Sequence, residues 1–155
     1  MKTDINIRAC TEVDIARLAM SLRDDDRRET EAYGFETPYD ALGLSLDRSA
    51  WALTAETIHG EIVACWGLIH ESAMGNVGNP WLLTGPGVET RRRMFLTYSK
   101  REVGRMLHEC PVLTAMIDAR YERACRWAKH IGFTLGDPTP WGLKHMPHVL
   151  AHMEA

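Results

Sequence analysis

The chain has 155 residues, 45% hydrophobic and 25% charged, with a formal net charge of −3. That length suits one domain spanning 1–155, able to bury roughly two-thirds of its unfolded surface, and that balance excludes a disordered chain. The mild acidity gives no electrostatic drive toward nucleic acid or an anionic membrane, so neither is expected as a partner.

Ile5–Arg8 alternates apolar and polar residues and predicts a short strand. Thr11 then offers an N-cap, with Asp14 three positions on, and Ile15, Leu18, Ala19 and Leu22 recur at helical spacing. The charged stretch Asp24 to Glu31 reads as a solvated helix end or loop. Thr37-Pro38 opens a second helix, with a cap followed by proline at the first helical position. Trp51–Ala55 reads as a strand and Thr57–Glu61 as a hairpin turn. Ile62–Ile69 is nearly all apolar, the mark of a strand buried on both faces. Ser72–Asn79, with Gly75, Asn76, Gly78 and Asn79, reads as a loop, and Pro80–Thr84 as a strand.

Gly85-Pro86-Gly87 bends the chain into a long helix from Thr90 to about Glu109. Val112–Ile117 is a further buried strand. Tyr121–Ile131 is a helix closed by Gly132, where a left-handed backbone is cheap. Phe133–Leu135 starts a strand, Pro138–Pro147 is a loop, and Val149–Met153 closes the sheet. The order β-α-α-β-β-β-α-β-α-β-β gives a layered α/β (α+β) domain.

Cys10, Cys65, Cys110 and Cys125 lack C-x-x-C spacing, and the apolar neighbours of Cys65 and Cys125 suggest reduced thiols, which favours a cytosolic setting. No signal peptide or transmembrane run is visible. His145, His148 and His152 read as a weak surface cluster rather than a metal site, so no metal is expected.

The element order, with Ala124, Trp127 and the Gly132-Phe133 pair closing a helix before a strand, resembles the GCN5-related N-acetyltransferase superfamily. Thr37–Leu42, Gly78–Leu83, Asp118–Arg120 and Arg126-Trp127 are more specifically similar to small tailed-phage proteins of that fold, including internal virion proteins. The resemblance implies a mixed sheet of six to seven strands flanked by about four helices. It implies acetyl-CoA as cofactor and an amine on a small molecule or protein as acceptor. It also implies a location in the bacterial host cytosol or in the virion, and it leaves open a catalytically inactive, virion-associated or host-interacting protein.

In the resembled family a glycine-rich turn at the start of the long helix holds the pyrophosphate, because backbone N–H groups there point at the anion. Here that stretch is Val88–Arg93 and has no glycine. Thr90, Arg91, Arg92 and Arg93 are the candidate replacements, using guanidinium forks; the same residues also read as a solvated basic turn. Backbone groups near Leu83 and Thr84 would hold the pantetheine arm between strands that splay apart. The family's tyrosine acid falls on Ala128 here; Tyr121, where the family often has an asparagine, is a candidate substitute acid or a packing residue. Glu71, with His70 beside it, is the candidate base at the end of the buried strand, and Asp118 is a further base or a helix cap. Trp141, in the loop, is a candidate pocket rim.

Overall fold

The computed structural model describes residues 4–35 and 37–155. The strands are β1 (Ile5–Ala9), β2 (Trp51–Thr57), β3 (Ile62–His70), β4 (Val77–Thr84), β5 (Val112–Asp118), β6 (Thr134–Leu135), β7 (Thr139–Trp141) and β8 (Met146–Glu154). The helices are α1 (Glu12–Ser21), α2 (Asp24–Tyr33), α3 (Pro38–Arg48), α4 (Arg92–Glu109) and α5 (Glu122–Ile131), with one 3₁₀ turn at Pro86–Val88.

Two helix starts follow directly from sequence. Thr11 and Thr37 each accept a hydrogen bond from the backbone N–H three residues on, and Asp14 and Asp40 return the favour. Both are complete capping boxes. Gly132 closes α5 at φ 116°, the left-handed conformation that only glycine adopts cheaply.

The charged stretch that reads as a helix end or loop is a separate helix, α2. It has no apolar stripe for periodicity to detect. Its start carries Asp24, Asp25 and Asp26 at the favourable end of the dipole, and Gly34 ends it at φ 97°. Those two end signals are its only local signature. Two further differences enlarge the sheet. β4 begins at Val77, inside the stretch read as loop, and β7 lies inside the Pro138–Pro147 loop. The sheet therefore has eight strands among the described residues, against six to seven expected, and five helices against four.

The strand order is β1-β2-β3-β4-β5-β8-β6, with β7 also on β8. Every pairing is antiparallel except β4 with β5. Helices cover both faces, which explains the apolar run of β3. Ala64, Trp66 and Leu68 pack with Val103 and Met106 of α4 and Ile131 of α5. Ile62 and Cys65 pack with Ile15, Leu18 and Leu42 of α1 and α3. From Ala64 to Leu68 this is the period of two expected for a strand between two layers, and the register shift opposite Ala55 and Glu56 carries Ile62 onto the Cys65 side.

The parallel β4–β5 pair is joined over only Val77↔Val112 and Gly78↔Leu113. A continued parallel ladder would next need the N–H of residue 80 to reach the Thr114 carbonyl. Residue 80 is proline and has no N–H. The side-chain amide of Asn79 donates to the Thr114 carbonyl instead, at 3.0 Å. Beyond that bond the two strands part.

Candidate functional site

The parting strands open a cleft of about 760 Å³. Its walls include Leu82 of β4, Ile117 of β5, Phe95 of α4, and Tyr121 and Trp127 at α5. Phe95 and Trp127 stack with centroids 6.0 Å apart, and the Trp127 Nε1 donates to the Ser99 hydroxyl at 3.2 Å. Trp141 lines the same cleft, as the sequence suggested for a rim residue.

The phase of the β3–β4 ladder decides which backbone groups face this cleft. Glu71 N–H donates to the Val77 carbonyl and Gly85 N–H to the Val63 carbonyl. Because antiparallel bonding alternates, residues 79, 81 and 83 also turn their backbone groups toward β3. The Leu83 backbone is thus committed to β3, while its side chain lines the cleft wall. Thr84 faces the other way but is already taken. Its carbonyl accepts from Arg23 N–H at 3.1 Å, and its hydroxyl donates to the Asp26 carboxylate at 2.5 Å. The open backbone position on β4 is Leu82.

Asp26, missed in the sequence, is 3% exposed and lines the cleft. Burial raises its pKa to about 6, against the pull of the Thr84 hydroxyl and N–H and of the Arg23 charge. Tyr121, also buried in the cleft wall, is pushed well above the usual phenol range, first by burial and then by the Asp26 charge. The two groups therefore titrate far apart, Asp26 near 6 and Tyr121 well above the neutral range.

The candidate cofactor residues fare differently from one another. Arg91 forks onto Asp4, with its Nη2 2.6 Å from Oδ2, and its Nη1 donates to the Gly87 carbonyl at 2.9 Å. It is spent within the protein. Thr90 is exposed and its hydroxyl donates to the same carbonyl at 3.3 Å. Arg92 pairs with Glu89 at 2.7 Å while its side chain stays 69% exposed. Arg93 is exposed and carries no ion pair among the described residues. The basic first turn of α4, opposed by the helix dipole, is explained by carboxylates Asp4 and Glu89 beside it. Glu89 also accepts from Arg23 and, at 2.9 Å, from Arg123. Its pKa is held down by the Arg92 hydrogen bond first and then by the charges of Arg23 and Arg123.

Glu71 and His70 lie at the zipped end of β3 and β4 and do not line the cleft; His70 Nε2 is 2.8 Å from Glu109 Oε1. Asp118 is 2% exposed and caps the turn after β5, accepting from the Arg120 N–H at 2.9 Å and its guanidinium at 2.7 Å. His148 is a core residue, not a surface one: it is fully buried, its Nδ1 donates to the Met146 carbonyl at 2.7 Å, and its ring lies 5.1 Å from that of Trp141. Among the described residues no three His, Cys, Asp or Glu side chains are placed to hold a metal. No described helix is long and apolar enough to cross a membrane.

No protein-family profile and no curated sequence matches the chain. Solved structures do. Spermidine N-acetyltransferase from Vibrio cholerae, in complex with CoA and spermine, superposes with a TM-score of 0.69 at 13% identity, over 99% of this chain and 96% of that one. A provisionally named acetyltransferase from Acinetobacter baylyi gives 0.73 at 12% identity, over 97% and 93%. Another from Salmonella typhimurium, with its cofactor acetyl-CoA, gives 0.66 at 13% identity, over 98% and 94%. Along nearly its whole length, with the splayed parallel pair at its centre, this chain has the fold of the GCN5-related N-acetyltransferases.

Proposed function

We propose that the chain is an acyl-CoA-dependent N-acetyltransferase that moves acetyl from acetyl-CoA to an amine of a small molecule or protein. The observation that carries this reading is the cleft opened by Pro80, with Asp26 and Tyr121 in its walls. The residues present fit the cofactor: an apolar channel for the pantetheine arm beside the open Leu82 backbone, and arginines at the mouth for phosphates. Acetyl-CoA would supply an activated thioester carbonyl and a thiolate leaving group.

The chain's own residues supply the rest. Asp26, with a pKa near 6, is ionised at neutral pH and accepts the proton of the incoming ammonium. Tyr121 stays protonated in the neutral range, so its hydroxyl is a hydrogen-bond donor to the departing sulfur, and the second proton, shed by the nitrogen as the amide forms, would neutralise the thiolate. The apolar walls around the site keep the local dielectric low and strengthen both contacts.

The test is a panel of polyamines, amino acids, aminoglycosides and peptides, assayed with acetyl-CoA for free thiol release and for the acetylated product by mass. Turnover on one amine that falls at least about a hundredfold in Asp26→Asn supports the reading. No binding of acetyl-CoA at millimolar concentration overturns it.

A second reading is a non-turning-over protein on the same fold, with a virion-associated or host-interacting role as in the phage proteins it resembles. What favours it is the internal use of Arg91, Thr84 and Leu83. Its mark would be presence in purified particles together with no cofactor binding.

A further inference from the structure

We propose that Arg23, Arg92 and Arg123 form a side-chain cradle for a phosphate or diphosphate group, and that the Glu89 carboxylate is its internal placeholder. The identity of the ligand as CoA rests on the acyl-CoA reading; the cradle does not.

Three guanidiniums from three separate elements converge on one carboxylate. Arg23 precedes α2, Arg92 is in the first turn of α4, and Arg123 is in the first turn of α5. Arg23 and Arg123 (2.9 Å) both meet Glu89 Oε1, and Arg92 meets Oε2 at 2.7 Å. Three guanidiniums against the one Glu89 carboxylate leave two positive charges over, of which Asp26, close enough to feel the Arg23 charge, offsets one at neutral pH. One carboxylate has two oxygens and uses one N–H from each guanidinium, whereas each guanidinium carries five. A diphosphate has more oxygens and more charge, so it satisfies donors that Glu89 leaves over.

The location matches the need. Arg23, Glu89, Arg92 and Arg123 all line the cleft mouth where β4 runs into α4. Arg23 is fixed there by a second bond, to the Thr84 hydroxyl at 3.2 Å, and its side chain is only 15% exposed. Glu89 has 36% of its side chain exposed, so it can swing to solvent when displaced. The lack of glycine in Val88–Arg93 removes a backbone phosphate nest, and Arg91 is held by Asp4. Side chains from α2, α4 and α5 take over that task.

The experiment is calorimetric titration of inorganic pyrophosphate, CoA and pantetheine into wild type, Glu89→Gln, Arg123→Ala and the double variant, at fixed ionic strength. Thermal melts confirm that each variant is folded. Removing the placeholder is expected to tighten pyrophosphate and CoA about tenfold and leave pantetheine, which has no phosphate, unchanged. Adding Arg123→Ala is expected to reverse that gain. Pyrophosphate binding that is absent, unchanged or weaker in Glu89→Gln overturns the cradle. Pyrophosphate tightening with no CoA binding to any variant upholds the cradle and sinks the acyl-CoA reading. CoA binding equally to wild type and Glu89→Gln upholds that reading and sinks the cradle.

Discussion

Asp26→Asn separates the proposed chemistry from mere structure. The Asp26 pKa rises from 3.8 to about 6 on folding, a difference worth ~3 kcal/mol between its protonated and ionised forms. The folded state therefore holds this proton more tightly than the unfolded state. Below pH about 4 both states are protonated and the group costs nothing. As pH climbs from about 4 to 6 the unfolded chain loses its proton first, so stability falls with rising pH. Above 6 the full ~3 kcal/mol penalty of a buried carboxylate is present. Asparagine has the same shape, and its amide can still accept from the Thr84 N–H and donate to the Thr84 hydroxyl. The variant is expected to gain on wild type by up to ~3 kcal/mol between pH 4 and pH 7, as measured by urea unfolding at each pH. Other titrating groups cancel in the difference. In the acyl-transfer assay, wild type should show an acidic limb near pH 6 in kcat/KM, and the variant should lack it. A wild-type-to-variant stability difference flat to ~0.5 kcal/mol over that range would refute the burial argument.

Asp14 gives the opposite sign. Burial raises its pKa, but the Arg8 fork and the Thr11 hydrogen bonds win and hold it at about 2. It should contribute ~2 kcal/mol at neutral pH, lost as pH falls from about 4 to 2, and Asp14→Asn should flatten that limb in an acid-unfolding titration. Leu113→Ala, at a fully buried position between the layers, should cost ~3 kcal/mol in urea unfolding with no change in slope. Asn79→Ala with Pro80→Ala restores a donor opposite the Thr114 carbonyl. Hydrogen exchange should then show a protected amide at position 80, and CoA binding should weaken as the cleft narrows. An unprotected amide there would show that Pro80 is not what ends the ladder.

Much of the architecture was legible because it is local. Thr11 with Asp14, Thr37 with Asp40, the apolar run Ile62–Ile69 and the glycine after Ile131 each act within a few residues. α2 escaped because its residues are charged all round, so the helical period carried no hydrophobic signal. Its acidic start and Gly34 were the available clues. Glu71 looked like a base because it ends a buried strand, but that end of the sheet is the closed one.

The sequence alone thus determined most of the elements and the caps of α1, α3 and α5, since these depend on neighbours in the chain. Tertiary structure alone decided the site. Asp26 meets Thr84 across 58 positions, Glu89 meets Arg23 across 66 and Arg123 across 34. A carboxylate's pKa and a guanidinium's partner follow from burial and from charges within a few ångströms, and those distances exist only after the chain has folded.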